Sequence, residues 1–543
     1  MCNEGDEIMG IIYQRNKKTG ITYAYDNHAW WDKDKQQSRA RRKLIGKVDP
    51  ETGEIVPTRP YRKRTNQAKN PQTKPGPVAI TQIKHRYYGA TYLFDQIGKA
   101  LGLTDDLKAC FPHMYQQILS VAYYLILEEN NPLSRFPHWQ RFHIHPFGKN
   151  IPSQRSSDLF QSIDEASRMQ FFRKQGKRRL ENEYWAFDTT SISSFSDALK
   201  QVKKGRNKEH DRLEQINLAL LFGEQSGLPF YYRKLPGNIT DVKTIRHLAQ
   251  EFNVMGYQKV KVVLDRGFYS QQNINALYQH HRKFIIGTKL SLKYVREILD
   301  DERENLKLWP HLLKQFNTYG ISRTIDWPYE QVRPYKGDVL KEKRRAYLLL
   351  FYNPQKAAKD QTEMNAHLTR LQNDLMRGKR RDYCAREYEK YFTVTQTPKR
   401  GRQVEPKQEA MLEAARNYGY FALLTNAVKD PFEALSLYRS KDLVEKAFGN
   451  LKERLNFRRM HVSSELSLNG KLFVEFIALI YLSYVKKKMQ DAKLFEQWTL
   501  QGLLDELDSI ELFEDPEHGR VLGEMTKKQE QLFRDLGVEP PSL

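Results

Sequence analysis

A chain of 543 residues is too long for one ordinary core, so several folded units are expected. Its 39% hydrophobic and 12% aromatic residues exclude global disorder. Lys plus Arg number 89 against 66 Asp plus Glu, and the formal net charge of +23 favours a polyanionic partner, either nucleic acid or an acidic membrane surface.

Residues 1–80 read as a basic, β-rich region with a linker, suited to DNA binding. Ile11-Ile-Tyr13 and Ile21-Thr-Tyr-Ala-Tyr25 flank the turn Lys17-Lys-Thr-Gly20 as two strands. Trp30-Trp31, the run Arg39, Arg41, Arg42 and Lys43, and the turn Asp49-Pro-Glu-Thr-Gly53 follow. Arg62-Lys-Arg64 then leads into a Pro- and Lys-containing linker over residues 65–80. Charge runs commonly make a solvated surface, but clustered Arg interleaved with aromatic rings suits DNA equally well. Residues 81–180 read as helical, with Tyr92–Ile97 and Ile118–Ile126 apolar at helical spacing. His143 and His145 have no second ligand pair nearby and read as packing or surface histidines.

The pattern changes over residues 181–290. Strands are predicted at Tyr184–Asp188, Gln215–Phe222, Pro229–Leu235, Val260–Asp265 and Phe284–Thr288, with helices at Val242–Phe252 and Gln271–His280. Three hairpin-like strands followed by alternating helix and strand predict an α/β fold, a mixed sheet covered by helices. That order resembles a ribonuclease-H-like core. Residues 291–419 break the rhythm and read as an inserted subdomain, with a strand candidate at Arg345–Phe351 and basic clusters at Lys341–Arg345 and Arg377–Arg381. The core resumes over residues 420–487 with a strand at Tyr420–Thr425 and one long helix from Asp430 to Leu455. Residues 488–543 alternate apolar and charged positions as an amphipathic helical tail does.

A membrane partner is not expected. The longest apolar run, Leu472 to Val485, is interrupted by Glu475 and falls short of the ~20 residues a spanning helix needs. It reads as a buried helix. The first residues, Met1-Cys-Asn-Glu-Gly-Asp-Glu7, place acids where a signal peptide has basic residues. Cys2, Cys110 and Cys384 are too scattered for a disulfide framework or a zinc finger. A reducing cytoplasm is the expected compartment.

Three acidic positions stand out. Asp188 ends an apolar strand and is followed by Thr189-Thr-Ser191, and Asp265 ends the most apolar strand of its region before Arg266-Gly-Phe268. A carboxylate where a buried strand emerges can bind a hard cation beside a cleft. Each also has a plain alternative: Asp188 can cap a turn, and Asp265 can simply close its strand. The third element is the spacing Tyr438, Lys441, Glu445 and Lys452. At about 100° per residue these offsets fall on one helix face. The plain alternative for such a face is a row of solvated ion pairs. Leu443, Val444, Phe448 and Leu451 nevertheless make the neighbouring face apolar, which predicts Glu445 close to a core and in need of a partner such as a metal ion.

Together, Phe187-Asp-Thr-Thr-Ser191, Val263-Leu-Asp-Arg-Gly-Phe268 and the Tyr438, Lys441, Glu445, Lys452 pattern resemble the three catalytic blocks of bacterial insertion-sequence DDE transposases of the IS-four type, whose catalytic helix bears a Tyr-Arg-Glu-Lys pattern. The resemblance covers roughly residues 85 to 485 in block order and spacing, and that family also carries a β-rich insertion before the glutamate. Pro236-Gly-Asn-x-x-Asp241 resembles a further family segment, with Asp241 read as a helix cap. Lys441 departs from the pattern, keeping the charge of the usual Arg without its planar fork.

The resemblance implies a ribonuclease-H-like catalytic core and two divalent ions about 3.5–4 Å apart, held by Asp188, Asp265 and Glu445. Oxygen ligands favour Mg²⁺, with Mn²⁺ as a substitute. Water as nucleophile would cut strands at the element's ends, and the freed 3′-hydroxyl would join target DNA. The implied partners are double-stranded DNA, as terminal inverted repeats and target, and a second copy of the chain in the DNA complex. Arg266, Tyr438, Lys441 and Lys452 are the implied DNA contacts. Trp309 and Trp327 are candidates for stacking on a flipped base, with a core position as the plain alternative for each. Two rival readings are a catalytically silent transposase-derived DNA-binding protein and a ribonuclease-H-like nuclease without strand transfer. The presence of all three acids disfavours the first; the long basic N-terminal region and the insertion disfavour the second.

Overall fold

The computed structural model describes residues 8–32, 36–58, 83–129, 131–178, 183–194, 199–205, 213–239, 260–333, 337–398, 401–455, 459–460, 464–515 and 519–542, with single residues between 245 and 257 and Val462. The predicted linker, the predicted helix at Val242–Phe252 and Asp241 lie wholly or mostly outside these residues. The chain divides into two compact units, Met1–Pro77 and Val78–Leu543.

The first unit is an antiparallel sheet of strands β1 (Ile8–Arg15), β2 (Thr22–Asp32), β3 (Gln37–Val48) and β4 (Ile55–Val56), paired in that order. In the β2–β3 register Trp30 faces Arg39, His28 faces Arg41 and Asp26 faces Lys43. Strand alternation therefore puts three cations of β3 on one face. Tyr13, Trp31 and most of β3 are exposed.

In the second unit, residues 89–177 form helices, among them Gly89–Ala100, Tyr115–Leu127, Ser153–Ser162 and Glu165–Lys177. His143 is stacked on Trp139 and hydrogen-bonded to Asp508, and His145 is bonded to Ser120, so both are packing residues. The helix Glu465–Asp491 lies at the centre of the core. By length and hydropathy it could cross a membrane, but 83% of its apolar window is buried by the rest of the chain. It meets the helix Ser153–Ser162 backbone to backbone at Gly470, where a Cβ would lie 2.0 Å from the Phe160 carbonyl oxygen. Gly470→Ala is therefore expected to destabilise the fold by about 1–3 kcal/mol, through overpacking that neither helix can relieve. A thermal melt with unchanged midpoint would contradict that contact.

After the short strand β5 (Lys84–Tyr87) come β6 (Trp185–Ser194), β7 (Glu214–Gly223), β8 (Pro229–Pro236), β9 (Lys261–Leu264), β10 (Lys283–Thr288), β11 (Leu312–Leu313), β12 (Thr318–Val332) and β13 (Val339–Tyr352). The hairpin of β14 (Phe392–Thr397) and β15 (Gly401–Pro406) precedes β16 (Tyr420–Thr425) and β17 (Arg459–Met460). One mixed sheet runs β11-β12-β13-β16-β10-β9-β6-β7-β8, with β17 also on β6. Its β10–β9, β9–β6 and β6–β17 pairings are parallel. The fold is thus α/β, a large mixed sheet with helices packed against it.

Three expectations need correction. Residues 291–419 are not one inserted body. β11–β13 extend the main sheet, because β13 pairs with β16, and a separate small core forms only beyond Pro354, from the helix Pro354–Met376, the helix Ala385–Tyr391 and β14–β15. The tail is not wholly helical: β18 (Glu511–Asp515) and β19 (Gly519–Leu522) form a sheet with β5, which fastens the tail to the start of the helical region. The long helix from Asp430 to Leu455 is two helices, Pro431–Arg439 and Asp442–Glu453. At the break the backbone tightens to bonds three residues back, Ser440 N–H to the Leu437 carbonyl at 3.1 Å and Lys441 N–H to the Tyr438 carbonyl at 3.3 Å, and the Ser440 hydroxyl donates to the same Leu437 carbonyl at 2.6 Å.

Candidate active site

The parallel register of β6 and β9 pairs Phe187 with Leu264, so the next residues, Asp188 and Asp265, emerge side by side where β9 ends. Phe187 packs edge-on against Phe268 beneath them, which fixes the loop Arg266-Gly-Phe268. Helix Asp442–Glu453 brings Glu445 and Phe448 to the same place. Asp188, Thr189, Thr190, Asp265, Gly267, Phe268, Glu445 and Phe448 line one pocket of about 340 Å³.

Tyr438 and Lys441, although split between the two helices by the break, converge on one atom. The Tyr438 hydroxyl donates to Asp265 Oδ1 at 3.0 Å, and Lys441 Nζ donates to the same oxygen at 3.0 Å. Lys441 Nζ also reaches Glu445 Oε1 at 3.3 Å. Burial would raise the Asp265 pKa, but the charge and hydrogen bond of Lys441, the Arg266 backbone N–H and the Tyr438 hydroxyl outweigh it and hold the carboxyl below its usual value. Burial, then the Asp265 charge, pushes the Tyr438 phenol well up, so it stays a protonated donor and a poor nucleophile. Burial pulls Lys441 down, yet Asp265 and Glu445 leave it raised and charged.

Glu445 is more open than expected. Its side chain is 57% exposed, because it lies on the pocket rim while Val444, Ala447 and Phe448 take the buried face. Arg266 is exposed beside Asp265, and Lys452 is partly buried farther along the same helix. The two tryptophans are not in the pocket. Trp309 is 71% exposed on a turn. Trp327 is 3% exposed and its indole N–H donates to Asn275 Oδ1 at 2.9 Å. It forms a wall of a separate, mainly apolar cavity of about 420 Å³ with Tyr269, Tyr294 and Ile325. Trp327 takes the core alternative given for it rather than standing as an exposed ring free to stack on a base.

One residue was missed. A Cβ on Gly287 of β10 would meet the Tyr438 hydroxyl at 2.7 Å and the Arg266 nitrogen at 3.0 Å. Only a bare backbone lets Tyr438 cross β10 to Asp265. The signal was available, since a glycine inside an apolar strand marks a close approach.

The family model of the transposase DDE domain matches residues 179–481, more than half of the chain. The chain belongs to that family. Among solved structures it is similar to one described as "Cryo-EM structure of piggyBac transposase synaptic complex with hairpin DNA (SNHP)", at 10% identity and a TM-score of 0.35, over 73% of this chain and 70% of that one. No curated protein matches the chain.

DDE transposases generally depend on divalent metal ions. Among the described residues no three His, Cys, Asp or Glu side chains are gathered closely enough to hold an ion. Asp188, Asp265 and Glu445 nevertheless line one pocket and offer only carboxylate oxygens, the donor type a hard cation takes.

Proposed function

We propose that the protein is a DDE transposase that cleaves DNA at insertion-sequence ends and transfers the freed 3′ ends into target DNA. The observation that carries this reading is the meeting of Asp188, Asp265 and Glu445, from three distant chain segments, around one pocket. These three residues would hold the divalent ions, Mg²⁺ by preference with Mn²⁺ substituting. Bound there, such ions activate the attacking oxygen and stabilise charge on the leaving oxygen. Tyr438 and Lys441 orient Asp265, and Tyr438 forms no covalent link to DNA. Arg266, Lys452 and the exposed Trp309 are read as DNA contacts, the cations on backbone phosphates and the indole on a base. The central sheet is read as a ribonuclease-H-like core of the IS-four lineage, acting as a homodimer on paired ends in a bacterial cytoplasm. Incubating the protein with the inverted-repeat DNA that flanks its own gene tests the reading. Mg²⁺ should give cleaved and joined products, and EDTA should suppress both. Cleavage without joining would leave a nuclease, and binding without cleavage a silent DNA-binding protein.

The first unit is assigned to end recognition through Arg39, Arg41 and Lys43 on one face of its sheet. Removing residues 1–77 should lower affinity for the ends and flatten its dependence on salt by roughly 2–3 in log–log slope, the loss of about three phosphate contacts. The rest of the chain should melt as before. A gel-shift titration across salt concentrations measures both effects, and an unchanged slope would place end recognition in the second unit.

A further inference from the structure

The ammonium of Lys441 lies 3.0 Å from Asp265 Oδ1 and 3.3 Å from Glu445 Oε1. Its side chain is 19% exposed, against 41% for Asp265 and 57% for Glu445, so the cation sits deeper than the acids it joins. The residue starts the helix Asp442–Glu453 immediately after the break, which directs its stem back toward the end of β9 while Glu445 follows one turn later. Without a cation at that point, two carboxylates would face each other across a half-buried pocket. Lys441 supplies the missing charge.

We propose that Lys441 is the resting counter-cation of the site, which holds Asp265 and Glu445 together in the metal-free protein and must leave them before they can ligate a divalent ion. The proposal rests on the reading of these acids as metal ligands. A divalent ion bound between these two acids would lie close to the ammonium and be repelled by it, and it would compete for Oδ1 and Oε1, the oxygen of each carboxylate that the ammonium already engages. Metal uptake is therefore an exchange. Lysine suits an exchange: it is a compact charge on a flexible four-carbon stem, held here through separate single contacts, whereas an Arg fork could grip a carboxylate with two parallel bonds. The displaced ammonium becomes available to a phosphate oxygen at the moment the site is loaded.

The test is Mn²⁺ binding to the full, DNA-free chain, followed by titration calorimetry and by the free Mn²⁺ paramagnetic signal. Lys441→Met should bind the first ion roughly tenfold more tightly than the wild type, the size of a modest coupling between two ligands of one site. Lys441→Gln should do the same, and thermal melts establish that each variant is folded. Lys446→Met is the control for general electrostatics. Lys446 is exposed, adjoins Glu445 in sequence and makes no ion pair among the described residues. If Lys446→Met tightens binding as much as Lys441→Met, the effect is one of overall charge and the exchange is overturned. If Lys441→Met and Lys441→Gln leave binding unchanged while Asp265→Asn and Glu445→Gln abolish it, the acids are ligands but Lys441 is no competitor. If Asp265→Asn and Glu445→Gln bind Mn²⁺ like the wild type, the metal-ligand reading falls and the proposal with it.

Discussion

Asp188→Asn, Asp265→Asn and Glu445→Gln should each lower the rate of end cleavage and joining by roughly a thousandfold or more, a loss of about 4 kcal/mol of transition-state stabilisation. Each substitution keeps the shape of the side chain and removes the negative charge that a hard cation requires. The fold should survive all three. Asp265 and Glu445 are 41% and 57% exposed, and their ion pairs with Lys441 are of the partly solvated kind that contributes little to stability. An Asn at position 265 still offers an oxygen to the Tyr438 hydroxyl. End-binding measured by gel shift should therefore stay within a few-fold of wild type while strand cleavage is lost. Glu453→Gln is the internal control, since Glu453 is exposed and turned about 80° around the helix from Glu445. Full activity of any one of the three acid variants would remove that residue from the site. Loss of activity in Glu453→Gln, with Glu445→Gln active, would show that the register of the third block is wrong.

Asp188 and Asp265 were legible as candidates because each interrupts an apolar run, but only β9 ends there: β6 continues past Asp188 to Ser194, so the change of polarity at Asp188 does not mark a strand end. That two strands are parallel neighbours in register, Phe187 beside Leu264, is not written in either segment. The break at Ser440 was hidden because Leu435, Val444, Phe448 and Leu451 keep a helical apolar rhythm through it, and a short tightening of the backbone to bonds three residues back leaves that rhythm intact. The chance to read Glu445 as a core-edge residue came from the same rhythm, which locates a buried stripe but not how far its border lies from solvent. Residues 312–352 were read as part of an insertion over 291–419 because that stretch breaks the strand-helix rhythm and carries basic clusters, although β13 finds its partner β16 about 70 residues later. The tail hairpin was harder still: Glu511 pairs with Tyr87, and no local propensity records a partner more than 400 residues away. Trp327 had nothing in its neighbourhood to distinguish a core ring from a surface one until Asn275 was found at its indole nitrogen.

Glu475→Gln should stabilise the protein at pH 8 and leave its stability nearly unchanged at pH 4.5. Glu475 interrupts the apolar run of the central helix and is completely buried there. Among the described residues neither of its carboxylate oxygens has a hydrogen-bond partner, and Lys471 Nζ lies 3.7 Å away, beyond hydrogen-bonding distance. Burial pushes its pKa up to about 8, with the charge of Lys471 opposing. An ordinary unfolded glutamate titrates near 4.5, the value from which this shift is measured. Between those two values the folded chain binds a proton that the unfolded chain has released. The stability held by the neutral form is therefore fully present below about 4.5 and declines as pH rises towards about 8. At 1.36 kcal/mol per pKa unit the decline is on the order of a few kcal/mol. Gln keeps the volume and cannot ionise, so the wild type and the variant should melt alike at the acidic end and diverge steadily as pH is raised. Thermal melts of both proteins from pH 4.5 to 8.5 give the difference directly, free of every other titrating group they share. A constant difference across that range would mean that Glu475 is already ionised in the folded protein at pH 5, and that Lys471 holds the pair charged inside the core.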